Sequence, residues 1–219
     1  MPTARVVVLS GHRENGANSS HASPKRSAGR RLPVRSSPLK TTGYTLLSKT
    51  VYLQKPTTRD AGELIALNRA SVKLHRGLVS PPTSEDQFRS LLKRSRQPAF
   101  AYFLIHRVVD KKIVGAINLS QIFLGSFRSA YLGYYIGAAY ARQGHMSEGL
   151  QLMLKYAFEQ LKLHRIEANV QPHNASSIAL IRRAGFVREG FSRRYLKIGG
   201  RWRDHERWAI LYEDWKPRS

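Results

Sequence analysis

The sequence predicts an α/β (α+β) domain over residues 46–219, and three observations support this class. Strand and helix signals alternate from about Thr45 onward. Hydrophobic residues make up 42% of the 219 residues, which is enough for a core, and no apolar run approaches the roughly 20 residues of a membrane span. Cysteine is absent, which excludes disulfide scaffolds, cysteine zinc sites and a catalytic thiol. We therefore expect a soluble, cytoplasmic protein without a membrane partner.

The first half of the predicted domain contains a strand, two helices and a pair of strands. The strand covers residues 51–53. Polar capping residues at 57–60 precede an amphipathic helix whose body contains Ala61, Leu64, Ile65, Leu67 and Asn68. The second helix begins after Pro81 and Pro82, with Thr83 or Ser84 as its cap. Two strands, 100–109 and 113–124, are joined by a polar turn at 110–112, which is typical of a hairpin.

The second half contains the most regular element. Residues 131–137 form a short apolar and aromatic run, which predicts a buried strand. From Met146 to Leu161 the apolar residues follow the helical period. A strand at 166–170 and a short helix after Asn174 follow, and Gly185 is placed to end that helix in the left-handed conformation. The remainder is rich in strand signals, with a Gly199-Gly200 turn that predicts a hairpin.

Basic residues outnumber acidic ones by 37 to 14, for a net charge of +23. Residues 1–50 hold nine of the basic residues and one acid, so the folded part is also strongly basic. Such an excess indicates a polyanionic neighbour, with nucleic acid first. Residues 1–45 are predicted to be a disordered basic extension. A transit peptide, a start codon assigned too far upstream and an RNA-binding arm remain open alternatives for this segment.

A candidate anion site lies at the turn before the long helix. Gly144 lets a phosphate approach the main chain, and the first N–H groups of the helix point outward with the positive end of its dipole. Arg142 and His145 add donors there. Asn174 begins the next helix and Ser177 follows three residues later, so the Ser177 hydroxyl lies near the same end. A structural turn and a simple helix cap are the alternative interpretations of Gly144 and Asn174.

The chain resembles a known family in these segments. They are residues 131–137, Arg142-Gln143-Gly144-His145-Met146-Ser147-Glu148, Asn174-Ala175-Ser176-Ser177 and Gly185-Phe186, with His164-Arg165-Ile166 and Trp202-Arg203-Asp204-His205 in the same order. They are similar to the acetyl-CoA motifs of the GCN5-related N-acetyltransferases, and more narrowly to the RimJ-like ribosomal-protein-alanine N-acetyltransferases. The resemblance covers roughly residues 51–215 and implies one domain with a mixed central sheet, two splayed strands and flanking helices. The family's loop pattern fits with Gly144 as its last member, which puts Arg142 at its first glycine and Ala139 at its Gln or Arg.

The resemblance implies acetyl-CoA as co-substrate and no metal. Main-chain N–H groups near Tyr135 and Ile136 would hold the thioester carbonyl. The N–H groups from Gln143 to Ser147 would take the pyrophosphate. This cofactor-binding set comprises Tyr135, Ile136, Arg142, Gln143, Gly144, His145, Met146, Ser147, Asn174 and Ser177. The catalytic set implied is Ser177 as the acid for the departing thiolate, Glu167 as the acceptor of the ammonium proton through water, and Asn174.

The acceptor implied is the N-terminal alanine or serine α-amine of a ribosomal protein. An α-amine titrates near ~8 and a lysine amine near ~10.4, so deprotonating lysine at neutral pH costs about 3 kcal/mol more. A site with only a weak general base therefore favours a protein N-terminus over a lysine side chain as the acetyl acceptor. A small amine or antibiotic as acceptor, and a non-catalytic basic RNA-binding protein, remain the alternatives. Contact with ribosomal RNA is a further expectation, from Arg193, Arg194, Arg201 and Arg203 on the basic surface.

Each candidate also has an ordinary structural interpretation. Glu167 could be the partner of a nearby arginine across strands. His145, His164 and His173 lack metal-ligand spacing and suit ordinary hydrogen bonds. Tyr134, Tyr195 and Trp202 could line the side by which a peptide enters, although aromatic residues in strands are more often core.

Overall fold

The alternation of strands and helices is confirmed in the computed structural model, which describes residues 46–215. The predicted extension at residues 1–45, and residues 216–219, lie outside the described residues, so both predicted domain boundaries stay predictions. The elements in chain order are β1 (Val51–Gln54), α1 (Ala61–Ala70), α2 (Val72–His75), α3 (Glu85–Ser95), β2 (Phe100–Arg107), β3 (Ile113–Phe123), β4 (Ser129–Ile136), α4 (His145–Lys155), β5 (Arg165–Val170), α5 (Ala175–Arg183), β6 (Val187–Ile198) and β7 (Arg201–Leu211).

The strands form one mixed sheet in the order β1-β2-β3-β4-β5-β7-β6. Within the described residues, β4 and β5 are the parallel pair, and the other neighbours run antiparallel. The parallel pair needs a long crossover, and the loop and helix α4 supply it. This α/β architecture, a mixed sheet with flanking helices, confirms the predicted fold class.

Local signals explain where most elements begin and end. The Ser84 side chain caps α3 by accepting a hydrogen bond from the Gln87 N–H. The β6–β7 hairpin turns at Gly199 and Gly200, whose φ angles are +56° and +79°, so the predicted turn is confirmed. The helix predicted to reach Leu161 leaves α geometry after Lys155 and ends in one π-helical turn, Tyr156–Gln160. The short helix α2 was not predicted.

Helix α4 packs its apolar face on the sheet, with Leu150, Met153 and Leu154 fully buried. Its Glu148 carboxylate faces outward to the start of β1, where it accepts hydrogen bonds from the Ser48 hydroxyl and from the N–H and hydroxyl of Thr50. The N-terminus of α4 is thereby fixed relative to the sheet edge. In the part of the chain that the structure describes, no helix combines the length and apolar character needed to cross a bilayer.

Candidate active site

The centre of the sheet contains a wedge-shaped gap between β4 and β5. The two strands pair at three positions, from Ser129 with Arg165 to Tyr131 with Glu167. Beyond Tyr131, β4 continues to Ile136 and β5 to Val170 without pairing to each other. The predicted splayed strands are therefore confirmed, and the gap exposes main-chain groups of β4 that a neighbouring strand would otherwise cover.

The hydrogen bonds between β3 and β4 decide which of those groups face the gap. The Gly137 N–H donates to the Val114 carbonyl at 2.7 Å, and Gly115 is opposite Ile136. Because N–H directions alternate along an antiparallel strand, the Tyr135 N–H points toward β3 and the Ile136 N–H points into the gap. The geometry therefore favours Ile136 over Tyr135 as a main-chain donor to a ligand.

Two left-handed residues shape the end of the loop that leads from β4 into α4. Gly144 is the N-cap of α4 with φ of +84°, and its carbonyl accepts hydrogen bonds from the N–H groups of Ser147 and Glu148. The N–H groups of His145 and Met146, in the first turn, have no carbonyl within the helix to bond. Arg142, which stands where the family pattern has a glycine, has φ of +66°. The loop thus presents N–H groups and the positive end of α4 to an anion.

This loop forms one wall of a cleft of about 230 Å³ on the face of the sheet covered by α4. Of the predicted binding residues, the cleft is lined by Ile136, Arg142, Gly144, His145, Met146, Ser147 and Ser177. Tyr135, Gln143 and Asn174 are not among its lining residues. The Gln143 amide instead donates to the Ala139 carbonyl at 2.9 Å. The Tyr135 side chain lies on the other face of the sheet, because side chains alternate along β4.

Sequence reasoning missed six of the lining residues. They are Tyr134, Tyr140, Ser176, Ala179, Leu180 and Arg183. The last four lie on α5 at positions i, i+3, i+4 and i+7, which form one face of a helix. That spacing could have identified them once Ser177 was a candidate. Arg183 adds a cation to the wall opposite the loop.

A pair of buried hydroxyls lies in the same cleft. The Tyr134 hydroxyl and the Ser177 hydroxyl are 2.5 Å apart, and both side chains are almost fully buried. Burial raises the pKa of Tyr134, although its hydrogen bond to Ser177 opposes the rise, so the phenol keeps its proton at neutral pH. Tyr134 thus lines the same cleft as the Gly144 loop, and its place on a peptide-entry side stays a prediction. The structure brings Ser177 together with Tyr134, a contact that spans 43 residues.

Asn174 holds the backbone of Ser177 in place. Its side-chain oxygen accepts a hydrogen bond from the Ser177 N–H at 3.2 Å, so the predicted N-cap is confirmed. Asn174 is itself buried. A direct contact of Asn174 with a ligand stays a prediction.

Glu167 is distant from the Ile136 N–H along the strands. It is level with Tyr131, five residues before Ile136 on β4, which corresponds to about 16 Å at the rise of a strand. Its carboxylate accepts a hydrogen bond from Arg165 Nε at 3.0 Å, and Arg165 also binds Glu189. The arginine partner expected in the structural interpretation is therefore present, on the same strand and not across from it.

The histidines have ordinary partners. Thr50 Oγ1 lies 3.3 Å from His145 Nδ1, and Glu213 lies 3.2 Å from His164 Nε2. Burial, with a contribution from Arg107, lowers the pKa of His145, so at neutral pH its imidazole adds little positive charge to the loop. Within residues 46–215, no group of three or more histidine, aspartate or glutamate side chains is arranged to hold a metal ion.

Comparison with known proteins identifies the same region. A family model described as an acetyltransferase (GNAT) domain matches residues 50–187. The ribosomal protein uS5-alanine N-acetyltransferase of Escherichia coli is 40% identical over 122 residues, which are 56% of this chain and 63% of that protein. The chain spans less than two thirds of the length of the curated relatives that match it at 40–42% identity.

Two solved structures share the fold over most of their length. Mycobacterium smegmatis RimJ, in complex with CoA-disulfide, superposes with a TM-score of 0.69 at 27% identity and covers 81% of this chain and 93% of its own. Vibrio cholerae spermidine N-acetyltransferase, in complex with CoA and spermine, gives a TM-score of 0.65 at 25% identity and covers 75% of this chain and 96% of its own. Both of these proteins bind a CoA species in their structures.

Proposed function

The chain belongs to the GNAT acetyltransferase family, and from this membership we propose that it transfers the acetyl group of acetyl-CoA to a primary amine. One observation supports the proposal most. The anion-binding loop at Gly144 and the Tyr134–Ser177 hydroxyl pair open on one cleft. Acetyl-CoA needs donors for its pyrophosphate and a proton source for its sulfur, and this cleft offers both.

In this proposal the main chain binds the cofactor. The N–H groups of His145 and Met146 take the pyrophosphate, because they point outward at the positive end of α4. Arg142 and Arg183, from opposite walls, add positive charge. The Ile136 N–H holds the thioester carbonyl and stabilises the oxyanion that forms during attack.

Acetyl transfer is direct. With no cysteine in the chain there is no thiol to take the acetyl group, so the amine attacks the thioester carbon itself. The C–N bond forms, the C–S bond breaks, and the Ser177 hydroxyl protonates the departing thiolate. Tyr134 returns a proton to Ser177 across the 2.5 Å contact and is reprotonated in turn, through water, by the second proton that leaves the amine nitrogen. Glu167 stays a prediction as the acceptor of the ammonium proton, and its distance along β5 would require a chain of water molecules.

We propose the N-terminal α-amine of a ribosomal protein, alanine or serine, as the acceptor. The 40% identity to a ribosomal-protein-alanine N-acetyltransferase supports this class. Charge supports it as well, because Arg207 of β7 lies opposite Asn169 of β5, and Arg203 of the same strand reaches Gly77. Arginines there repel a polycation and suit a peptide near ribosomal RNA.

A small amine is the second candidate, because the fold also matches a spermidine acetyltransferase. A polyamine carries several positive charges and needs carboxylates around it. Glu167, on β5 beside the gap, and Glu189, on β6, are both held by Arg165, which neutralises part of their charge. The electrostatics of this face therefore favour a peptide over a polyamine.

Two measurements test the proposal. Acetyl-CoA should raise the melting temperature of the purified protein, whereas a non-catalytic RNA-binding protein would be unaffected by it. Turnover should then be compared for peptides that begin with alanine or serine, the same peptides with a blocked N-terminus, spermidine and an aminoglycoside. We expect acetylation of the free N-terminal peptides only. Preferential turnover of spermidine or the aminoglycoside would refute the ribosomal-protein assignment and keep the acetyltransferase.

A further inference from the structure

A short segment that sequence reasoning overlooked lies across the wide end of the gap. Residues 71–77, which include α2, form hydrogen bonds to residues at the ends of both splayed strands. The Ser71 hydroxyl accepts a hydrogen bond from the Ala138 N–H, and His75 Nε2 lies 2.9 Å from the Ile136 carbonyl oxygen. On the other side, the Gln171 amide donates to the Gly77 carbonyl at 2.9 Å. The segment thus bridges the end of β4 and the residue that follows β5.

His75 lies on the face of the sheet opposite the cofactor cleft. Its ring packs edge-on against Tyr135, with ring centroids 5.4 Å apart, and Tyr135 alternates with the cleft residues Tyr134 and Ile136. His75 bonds to the carbonyl of Ile136, the residue whose N–H faces the gap. It is therefore adjacent to the point where the thioester carbonyl would lie, whereas Glu167 is about 16 Å along the strand.

The hydrogen bond to Ile136 fixes the tautomer of His75. A carbonyl oxygen can only accept, so Nε2 must carry the hydrogen and Nδ1 must present a lone pair. Nδ1 is buried and has no hydrogen-bond partner among residues 46–215. A buried acceptor left unpaired typically costs about 1–3 kcal/mol, so its presence requires an explanation.

The surroundings keep this imidazole neutral. Burial lowers the pKa of His75, and the hydrogen bond to Ile136 opposes the shift only in part. The ionisable neighbour in ring contact is Tyr135, whose pKa burial raises to about 12 and which is therefore uncharged. Arg76 is its chain neighbour, and Arg203 reaches the adjacent Gly77 from β7. Burial is the cause that favours the unprotonated form of His75.

We propose that His75, through Nδ1, accepts the proton that the acceptor ammonium must lose before it attacks the thioester, across at most one water molecule. This inference rests on the proposed function. The ammonium gives one proton to Nδ1, and its freed electron pair forms the C–N bond. The second proton lost from nitrogen balances the one that the thiolate gains, and His75 releases its proton to solvent.

The test compares wild type with His75→Gln in acetyl transfer to an N-terminal alanine peptide. Glutamine can still donate to the Ile136 carbonyl from the position of Nε2, but it has no basic nitrogen. We expect kcat/KM at pH 7 to fall about 100-fold, within the usual range for a general base, and acetyl-CoA affinity to stay unchanged. Near pH 9.5, where the α-amine is already neutral, the variant should recover to within about tenfold of wild type.

His164→Gln is the matched control, because His164 is exposed and its partner is Glu213, away from the gap, and we expect its profile to match that of wild type. A loss in His75→Gln that is equal at every pH would indicate a structural role and overturn the inference, as would an unchanged variant. If that variant does not fold, nitrogen NMR of the wild-type imidazole decides, because hydrogen on Nδ1 at pH 7 would overturn the tautomer. A wild type that neither binds acetyl-CoA nor acetylates any amine would refute the proposed function itself.

Discussion

Gly115 offers a sharp test of how β4 is held at the gap. It lies on β3 opposite Ile136 and is buried. A Cβ atom built on it would be 2.3 Å from the Tyr135 carbonyl oxygen and 3.0 Å from the Ile136 Cα. Ordinary contacts begin near 3.5 Å, so Gly115→Ala must move the β4 backbone by about an ångström. Backbone in the middle of a sheet cannot rotate away as a side chain can.

We expect Gly115→Ala to lower both the melting temperature and kcat. Overpacking of this kind costs about 1–3 kcal/mol, which corresponds to a fall in melting temperature of about 3–9 °C for a domain of this size. The shift falls on Ile136, the proposed donor to the thioester carbonyl. Because a misplacement of about 1 Å can cost about 100-fold in rate, we expect kcat to fall by that order at a temperature where the variant is still folded.

Gly149→Ala is the matched control. Its Cβ would also meet a neighbour, at 2.9 Å, but that neighbour is the terminal Cδ1 of Ile105. The Ile105 side chain can adjust, and alanine is favoured over glycine in a helix by about 1 kcal/mol. We expect this variant to be near wild type in melting temperature and kcat. If Gly115→Ala were also near wild type in both, the close packing of β3 on β4 would not position Ile136.

Two further predictions concern the hydroxyl pair and the anchor of α4. Ser177→Ala and Tyr134→Phe should each lower kcat about 100-fold while acetyl-CoA affinity changes little, and the double variant should be no worse, since the hydroxyls act as one relay. Equal losses of kcat and of acetyl-CoA affinity would instead indicate that the hydroxyls bind the cofactor and do not act as an acid. Burial raises the pKa of Glu148, but hydrogen bonds from Ser48 and Thr50 outweigh it and lower the pKa overall. The carboxylate therefore stabilises the fold above its unfolded pKa, and this contribution disappears as pH falls through its folded pKa. At pH 7, Glu148→Gln should lower the free energy of unfolding by about 1 kcal/mol after allowing for solvent exposure, which corresponds to a fall in melting temperature of about 2–4 °C. Near pH 2, where Glu148 is protonated, the variant should have the same melting temperature as wild type.

Local sequence signals predicted most elements because their causes are local. The helical period of α4, the Asn174 cap of α5 and the paired glycines of the β6–β7 turn each depend on residues a few positions apart. The contact between Tyr134 and Ser177 depends instead on how α5 packs against β4. No spacing in the sequence encodes that distance, so Tyr134 could not be assigned to the cleft before the structure was known.

His75 was missed for a related reason. Helix α2 has four residues, which is too short to show a hydrophobic period, and its position is fixed by bonds to Ile136, Ala138 and Gln171, far along the chain. Glu167 was predicted to accept the ammonium proton because it is a carboxylate on a central strand. Its pairing register then showed that it lies level with Tyr131 and not with Ile136.

The alternation of β4 divides the proposed reaction between the two faces of the sheet. Tyr134 and Ile136 point their side chains into the cofactor cleft, and Tyr135 points to the face where His75 lies. An acid that protonates sulfur and a base that deprotonates nitrogen must not exchange their proton directly, and a strand between them prevents this. The Ile136 main chain is the element that both sides share: its N–H faces the gap, and its carbonyl holds His75. A displacement of this one residue should therefore impair carbonyl binding and proton removal together, whereas a change at His75 should impair proton removal alone.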